Sequence, residues 1–149
     1  MKVYIGADHG GFKLKEELKV WLKELGHDME DLGAFSFLPE DDFVDYAWPL
    51  ALKVGGDEVA RGILICRSGQ GECIVANKAK GVRAVTAWNE KSAYAGRHDN
   101  DANVVCLPAD YISLETAKKM IEIFLTTPFG TEERFRRRVG KVRNIDINL

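Results

Sequence analysis

Short runs rich in β-branched and aliphatic residues alternate along this chain with amphipathic stretches of helical period, and that alternation leaves few folds open to it. Parallel strands need a crossover between them, usually a helix, so the pattern specifies a parallel α/β sheet covered on both faces. Five strands are predicted: Lys2 to Ala7, His27 to Leu32, Gly62 to Cys66, Arg83 to Ala87 and Asn103 to Leu107. The first helix, Gly11 to Leu25, turns Leu14, Leu18, Trp21, Leu22 and Leu25 to one face and stops at Gly26. A second, Val44 to Val54, accepts Pro49 only near its first turn or at a kink. A third follows Gly71, a fourth covers Glu90 to Gly96, and a fifth starts behind Ser113 as N-cap. The expected fold is a Rossmann-like three-layer sandwich around a five-stranded parallel sheet of order 2-1-3-4-5.

With 149 residues, 46% of them hydrophobic, the chain makes one domain over residues 1–149, ending in a basic helical arm at about 130–149. The net charge of −2 gives no global pull towards nucleic acid or an anionic membrane, so neither is expected as a partner. No apolar run approaches the roughly 20 residues that span a bilayer. The opening residues read as a strand rather than a leader, and a cytoplasmic location is expected. Cys66, Cys73 and Cys106 are an odd number without ligand spacing, so reduced thiols are expected, and neither a disulfide framework nor a bound metal.

In doubly wound sheets, ligands bind beyond the carboxyl ends of the strands where the order reverses. That rule places Asp8, His9, Gly10 and Gly11 beside Cys66, Arg67, Ser68, Gly69, Gln70, Gly71 and Glu72. Both loops end a strand, carry glycines that allow close backbone approach, and open a helix whose free N–H groups favour an anion. The glycine spacing is neither that of a dinucleotide fold nor that of a P-loop. Taken singly, Cys66 reads as an inert buried thiol and Glu72 as a charge that complements a helix dipole. Together a thiol, a carboxylate, an imidazole and presented amides form the inventory for removing a proton next to a carbonyl.

These residues resemble the ribose-5-phosphate isomerase B and galactose-6-phosphate isomerase family over nearly the whole chain. The resemblance rests on Gly6 to Lys15, Asp31-Leu32-Gly33, Asp45-Tyr46-Ala47, Gly62 to Cys66, Ser68 to Gly71, Ala76-Asn77-Lys78, Gly81 to Ala84, Asn100 and Asn103-Val104. It implies an aldose-to-ketose conversion of a sugar phosphate through a cis-enediolate, as in pentose phosphate metabolism, without metal or organic cofactor. It also implies a homodimer or tetramer with sites shared between subunits. By this resemblance the base is Cys66, with Glu72 as the alternative, and a helix N-terminus is expected to lower the thiol pKa. Ser68, Gly69, Gln70 and Gly71 offer amides to the enediolate oxygen. Asp8 and Asn100 hold sugar hydroxyls, while His9, Arg134 and Arg138 grip the phosphate.

Four positions depart from the family pattern. Asp99 stands where the family has its ring-opening histidine, and a carboxylate there can accept a proton but is a poor donor at neutral pH. Asp110 replaces a phosphate-binding arginine, Arg67 replaces a glycine, and Phe135 replaces a histidine beside Arg134. Arg67 is therefore expected either to pair with Asp110 or to supply the missing positive charge to the substrate. Asp99 suits a substrate that is already open-chain, and Asp99 with Asp110 suits a different, unphosphorylated sugar. A third reading is a non-catalytic module that binds a phosphosugar.

Overall fold

The computed structural model describes residues 1–147. Five parallel strands, β1 (Lys2–Ala7), β2 (Asp28–Asp31), β3 (Arg61–Cys66), β4 (Ala84–Thr86) and β5 (Val104–Pro108), form one sheet of order β2-β1-β3-β5-β4. The α/β class and three-layer form agree with expectation, but the last two strands are exchanged relative to the order 2-1-3-4-5. The reason is burial. Every residue of β5 is buried, which demands neighbours on both edges, whereas β4 is three residues long, partly exposed and suited to an edge. The β1/β3 switch point is unaffected, because β1 still lies between β2 and β3.

Strict alternation along the strands supplies both cores. Ile63, Ile65, Val105 and Leu107 face one side with Val3 and Ile5. Against them pack α1 (Phe12–Glu24), α4 (Glu90–Asn100) and α5 (Leu114–Thr126) through Leu18, Leu22, Ala93, Met120, Ile121 and Phe124. On the other side Leu64, Val104 and Cys106 meet Ala47, Leu50 and Val54 of α2 (Val44–Gly55) and Ala76 of α3 (Gln70–Ala76). Each buried Leu or Ile here contributes about 2 kcal/mol. A final helix, α6 (Glu133–Ile147), buries Phe135 and Val139 and exposes most of its arginines. No helix among the described residues is long and apolar enough to cross a membrane.

Two helices depart from expectation, one in the place of its proline and one in its length. Pro49 lies inside α2 beyond its first turn, where buried Leu50, Ala51 and Val54 hold the helix despite the N–H that proline lacks. Gly96 does not end α4. A Cβ there would come within 2.8 Å of the Val85 side chain, so the glycine lets the helix approach β4, and α4 runs on to Asn100. Its cap is Asp101, left-handed at φ 50°, whose carboxylate gathers Arg83, Arg97 and Arg143 at 3.0, 3.0 and 2.8 Å.

Candidate active site

The carboxyl ends of β1 and β3 bring together most of the residues singled out from the sequence. Asp8 follows β1 and is buried, and one of its oxygens accepts the Gly10 and Gly11 amides at 2.9 and 3.2 Å, holding the turn into α1. Gly11 has no room for a side chain, since a Cβ would meet the Ile65 carbonyl oxygen at 2.0 Å. The two loops are therefore pressed together by backbone packing, and burial raises the Asp8 pKa.

Cys66 closes β3, 5% exposed, and the Gly69 amide donates to its sulfur across 3.1 Å. Gly69 reaches this position in the left-handed region, φ 75°, with its carbonyl held by Thr86 Oγ1 at 3.0 Å. The expected depression of the thiol does not occur. Burial, with the charge of Glu72 second, pushes Cys66 up to about 11 and outweighs the Gly69 and Glu72 amides that favour a thiolate. Glu72 follows on the first turn of α3, wholly buried, with the Asp8 amide favouring its charged form. Burial first, then the charge of Asp8, drives its pKa well above the usual carboxylate range. Cys73, which sequence reasoning passed over, is the thiol held low, at about 6, chiefly by a hydrogen bond with buried Cys106.

Arg67 arches over Gly10 and meets Asp110 at 2.9 Å, which realises the pairing that their paired departure from the family suggested. Both groups are substantially exposed, so screening keeps the pair weak. Arg67→Gly is expected to leave the melting temperature within about 2 °C of wild type and substrate KM within about twofold, checked by thermal melts and steady-state kinetics. A large KM increase would transfer Arg67 to the substrate.

His9 is steered by a residue with no sequence signal of its own. Asp41, in the loop between β2 and α2, accepts both the His9 amide and His9 Nδ1. The loop reaches there because the Ala7 amide donates to Gly33 O at 2.7 Å and the Ala34 amide to Ala7 O at 2.6 Å, fastening it to the end of β1. A cavity of about 430 Å³ lies beside it, lined by Leu38, Pro39, Glu40 and Asp41. Asp8, His9 and Asp41 place polar atoms within 4.8 Å of one another, but the His9 nitrogen and the Asp41 oxygen are already joined as a hydrogen bond. The arrangement is one of acid–base groups, and no metal is assigned to it.

Asp99, Asn100, Arg134 and Arg138 are not part of this cluster. The helix α4 runs back along the sheet, so its last residues lie at the amino ends of the strands, where the neighbouring Asp101 pairs with Arg83. Asn100 and Arg138 line a cavity of about 310 Å³ against Val82 and Val85. Asp99 accepts from His98 Nδ1 at 2.8 Å, and the Arg134 guanidinium rests 4.8 Å from the Phe135 ring centre. No hydrogen bond or ion pair ties these four residues to the β1/β3 loops among the described residues.

Fold and loops define a class: a Rossmann-like α/β protein with its acid–base groups gathered at the switch point of the sheet. The chain belongs to the Ribose/Galactose Isomerase family, whose model matches residues 3–142. It is 40% identical over 146 residues to the putative sugar phosphate isomerase YwlF of Bacillus subtilis, covering 98% of this chain and 97% of that protein. It is 41% identical over 124 residues to ribose-5-phosphate isomerase B of Escherichia coli, 83% of each chain. Among solved structures, ribose-5-phosphate isomerase B of Mycoplasma genitalium with bound ribulose-5-phosphate superposes with a TM-score of 0.95 at 34% identity, covering 99% of this chain and 97% of that one.

Proposed function

We propose that this protein is an aldose–ketose isomerase that interconverts a sugar phosphate of the ribose 5-phosphate and ribulose 5-phosphate type through a cis-enediolate. The observation that carries the reading is the Cys66–Glu72 pair beneath the amide-bearing loop at the β1/β3 switch point, in a chain of this family. Cys66, the member of the pair with exposed surface, is the group that reaches substrate and moves the proton between adjacent carbons. Glu72, sealed behind it, is the alternative base and sets the electrostatics that the thiol meets. Since the Gly69 amide serves the sulfur and the Gln70 amide leans on Ser68 Oγ at 3.4 Å, the Ser68 and Gly71 amides are those left for the enediolate oxygen. Asp8 keeps its second carboxylate oxygen for sugar hydroxyls, and His9 meets the phosphate.

Asn100, Arg134 and Arg138 enter this reading from a second copy of the chain. They lie apart from Cys66 in one chain, and a homodimer with shared sites brings them to it. A verified monomer is then inactive. Three free thiols suit a reducing, cytoplasmic compartment. Asp99, at the place of the ring-opening group, favours a substrate that spends more time open-chain.

The test is proton exchange followed by NMR in D2O, with four- to six-carbon aldoses and their phosphates. Enzyme-dependent conversion of a phosphorylated aldose with deuterium at the carbon next to the carbonyl is expected. Saturable binding of a phosphosugar without exchange or conversion across the panel would make the chain a binding module instead.

A further inference from the structure

Among the described residues Asp41 is the carboxylate that bonds His9 directly, and its geometry is specific. A single oxygen, Oδ1, receives the His9 backbone N–H at 3.0 Å and the ring Nδ1 at 2.7 Å. The Asp41 side chain is 6% exposed while the His9 side chain is 31% exposed, so the bonded edge of the ring is the inner one. Two bonds to one atom fix the rotamer and the backbone of the residue together. A carboxylate can only accept, so Nδ1 carries a proton in every charge state of the ring. What remains for a ligand is Nε2, on the far side.

We propose that Asp41 is a positioning residue that clamps His9 by amide and ring so that Nε2–H is presented to the anionic group of the substrate. This rests on the reading that His9 meets a phosphate. Burial works against the charge on Asp41, yet the bonds from the His9 amide and ring outweigh it and hold its carboxyl below the usual carboxylate range. The same bond raises His9 above the ordinary histidine value of 6.5, so the imidazolium persists to higher pH. The charged groups around the ring come from each neighbouring segment: Asp8 from its own loop and Arg67 from the β3–α3 loop, with Arg67 tied to Asp110 of the β5–α5 loop. Tyr46 of α2 adjoins Asp41 itself. Asp8 supports the cation and Arg67 opposes it, leaving Asp41 as the dominant influence.

The experiment uses the full chain, whose three histidines make the ring signals simple to assign, with His9→Gln to identify the one that matters. In Asp41→Asn the His9 titration midpoint is expected to fall towards 6.5. At pH values above both midpoints KM for ribose 5-phosphate rises about tenfold for each unit lost, while kcat stays within about twofold. Asp41→Glu, which keeps the charge, restores most of the midpoint and most of the KM. An unmoved His9 midpoint in both variants overturns the proposal, as does a lowered midpoint with unchanged KM. Titration with inorganic phosphate separates the premise from the clamp. If phosphate leaves the wild-type His9 signals unperturbed at every pH, His9 does not meet the anion and the proposal falls with that reading, even though the midpoint shift survives.

Discussion

Cys66→Ala is expected to lower kcat by about 10²- to 10⁴-fold, the range that a positioned general base contributes, with KM changed far less. The loss falls on kcat because the thiol acts on the carbon-bound proton in the transition state, whereas phosphate and hydroxyl contacts persist in the ground state. The wild-type pH profile carries a further signature. Because the thiol sits at about 11, the thiolate is scarce at neutral pH, and kcat should climb about tenfold per pH unit up to mildly alkaline solution. A plateau reached at a pH well below about 11 would instead make Glu72 the base. Stability moves in the opposite sense. A raised thiol pKa leaves folding unpenalised below 9.0, and stability is lost as pH rises from 9.0 to about 11, where the unfolded chain ionises this thiol more readily than the folded one. Alanine removes that alkaline decline, which denaturant titrations at pH 8 and pH 10.5 would reveal.

Glu72→Gln should produce a more stable protein and show which of the two groups is the base. The carboxyl is completely buried, and carrying its charge there costs on the order of 1–3 kcal/mol. Its folded pKa stands well above 4.5, so the penalty is absent below 4.5 and grows as pH rises until the folded value is passed. Glutamine keeps the shape and has no charge to desolvate. Melting temperatures of the variant and wild type should therefore coincide near pH 4, and the variant should melt about 3–8 °C higher at pH 8. Activity distinguishes the two bases: with Cys66 as base, removing a charge that pushes the thiol up should raise kcat at neutral pH, and a fall of at least about 10²-fold would make Glu72 the base. Equal melting temperatures at pH 8 would mean that Glu72 is solvated or paired in solution, and its role in setting the Cys66 environment would be withdrawn. Gained stability together with a changed kcat is what a strained functional group produces, and a purely structural carboxylate would not show it.

Much of the candidate site was legible because its signals are local. The loops after β1 and β3 announce themselves by glycines and polar residues placed directly behind apolar runs, and the switch-point rule places them together whichever way β4 and β5 are ordered. The exchange of those two strands was also legible in part, since the unbroken apolar run at Val104–Leu107 belongs inside a sheet and the mixed run at Ala84–Thr86 belongs at its edge. Gly96 misled for a definite reason. A glycine that ends a helix and one that allows a helix to approach a strand look alike in sequence, and only the Val85 contact distinguishes them.

Local pattern by itself determined the α/β class, the strands and their faces, the first and fifth helices, and the identity of the two loops that carry chemistry, because periodicity and turn chemistry act over a few residues. Tertiary structure alone decided the rest. It paired Asp41 with His9 across 32 positions, buried Glu72 completely, pushed the Cys66 thiol up where a helix terminus alone would have lowered it, and carried Asn100 to the far end of the sheet. Proton affinities and long-range pairings depend on desolvation and on charges brought together from distant parts of the chain, and these exist only once the chain has closed around them.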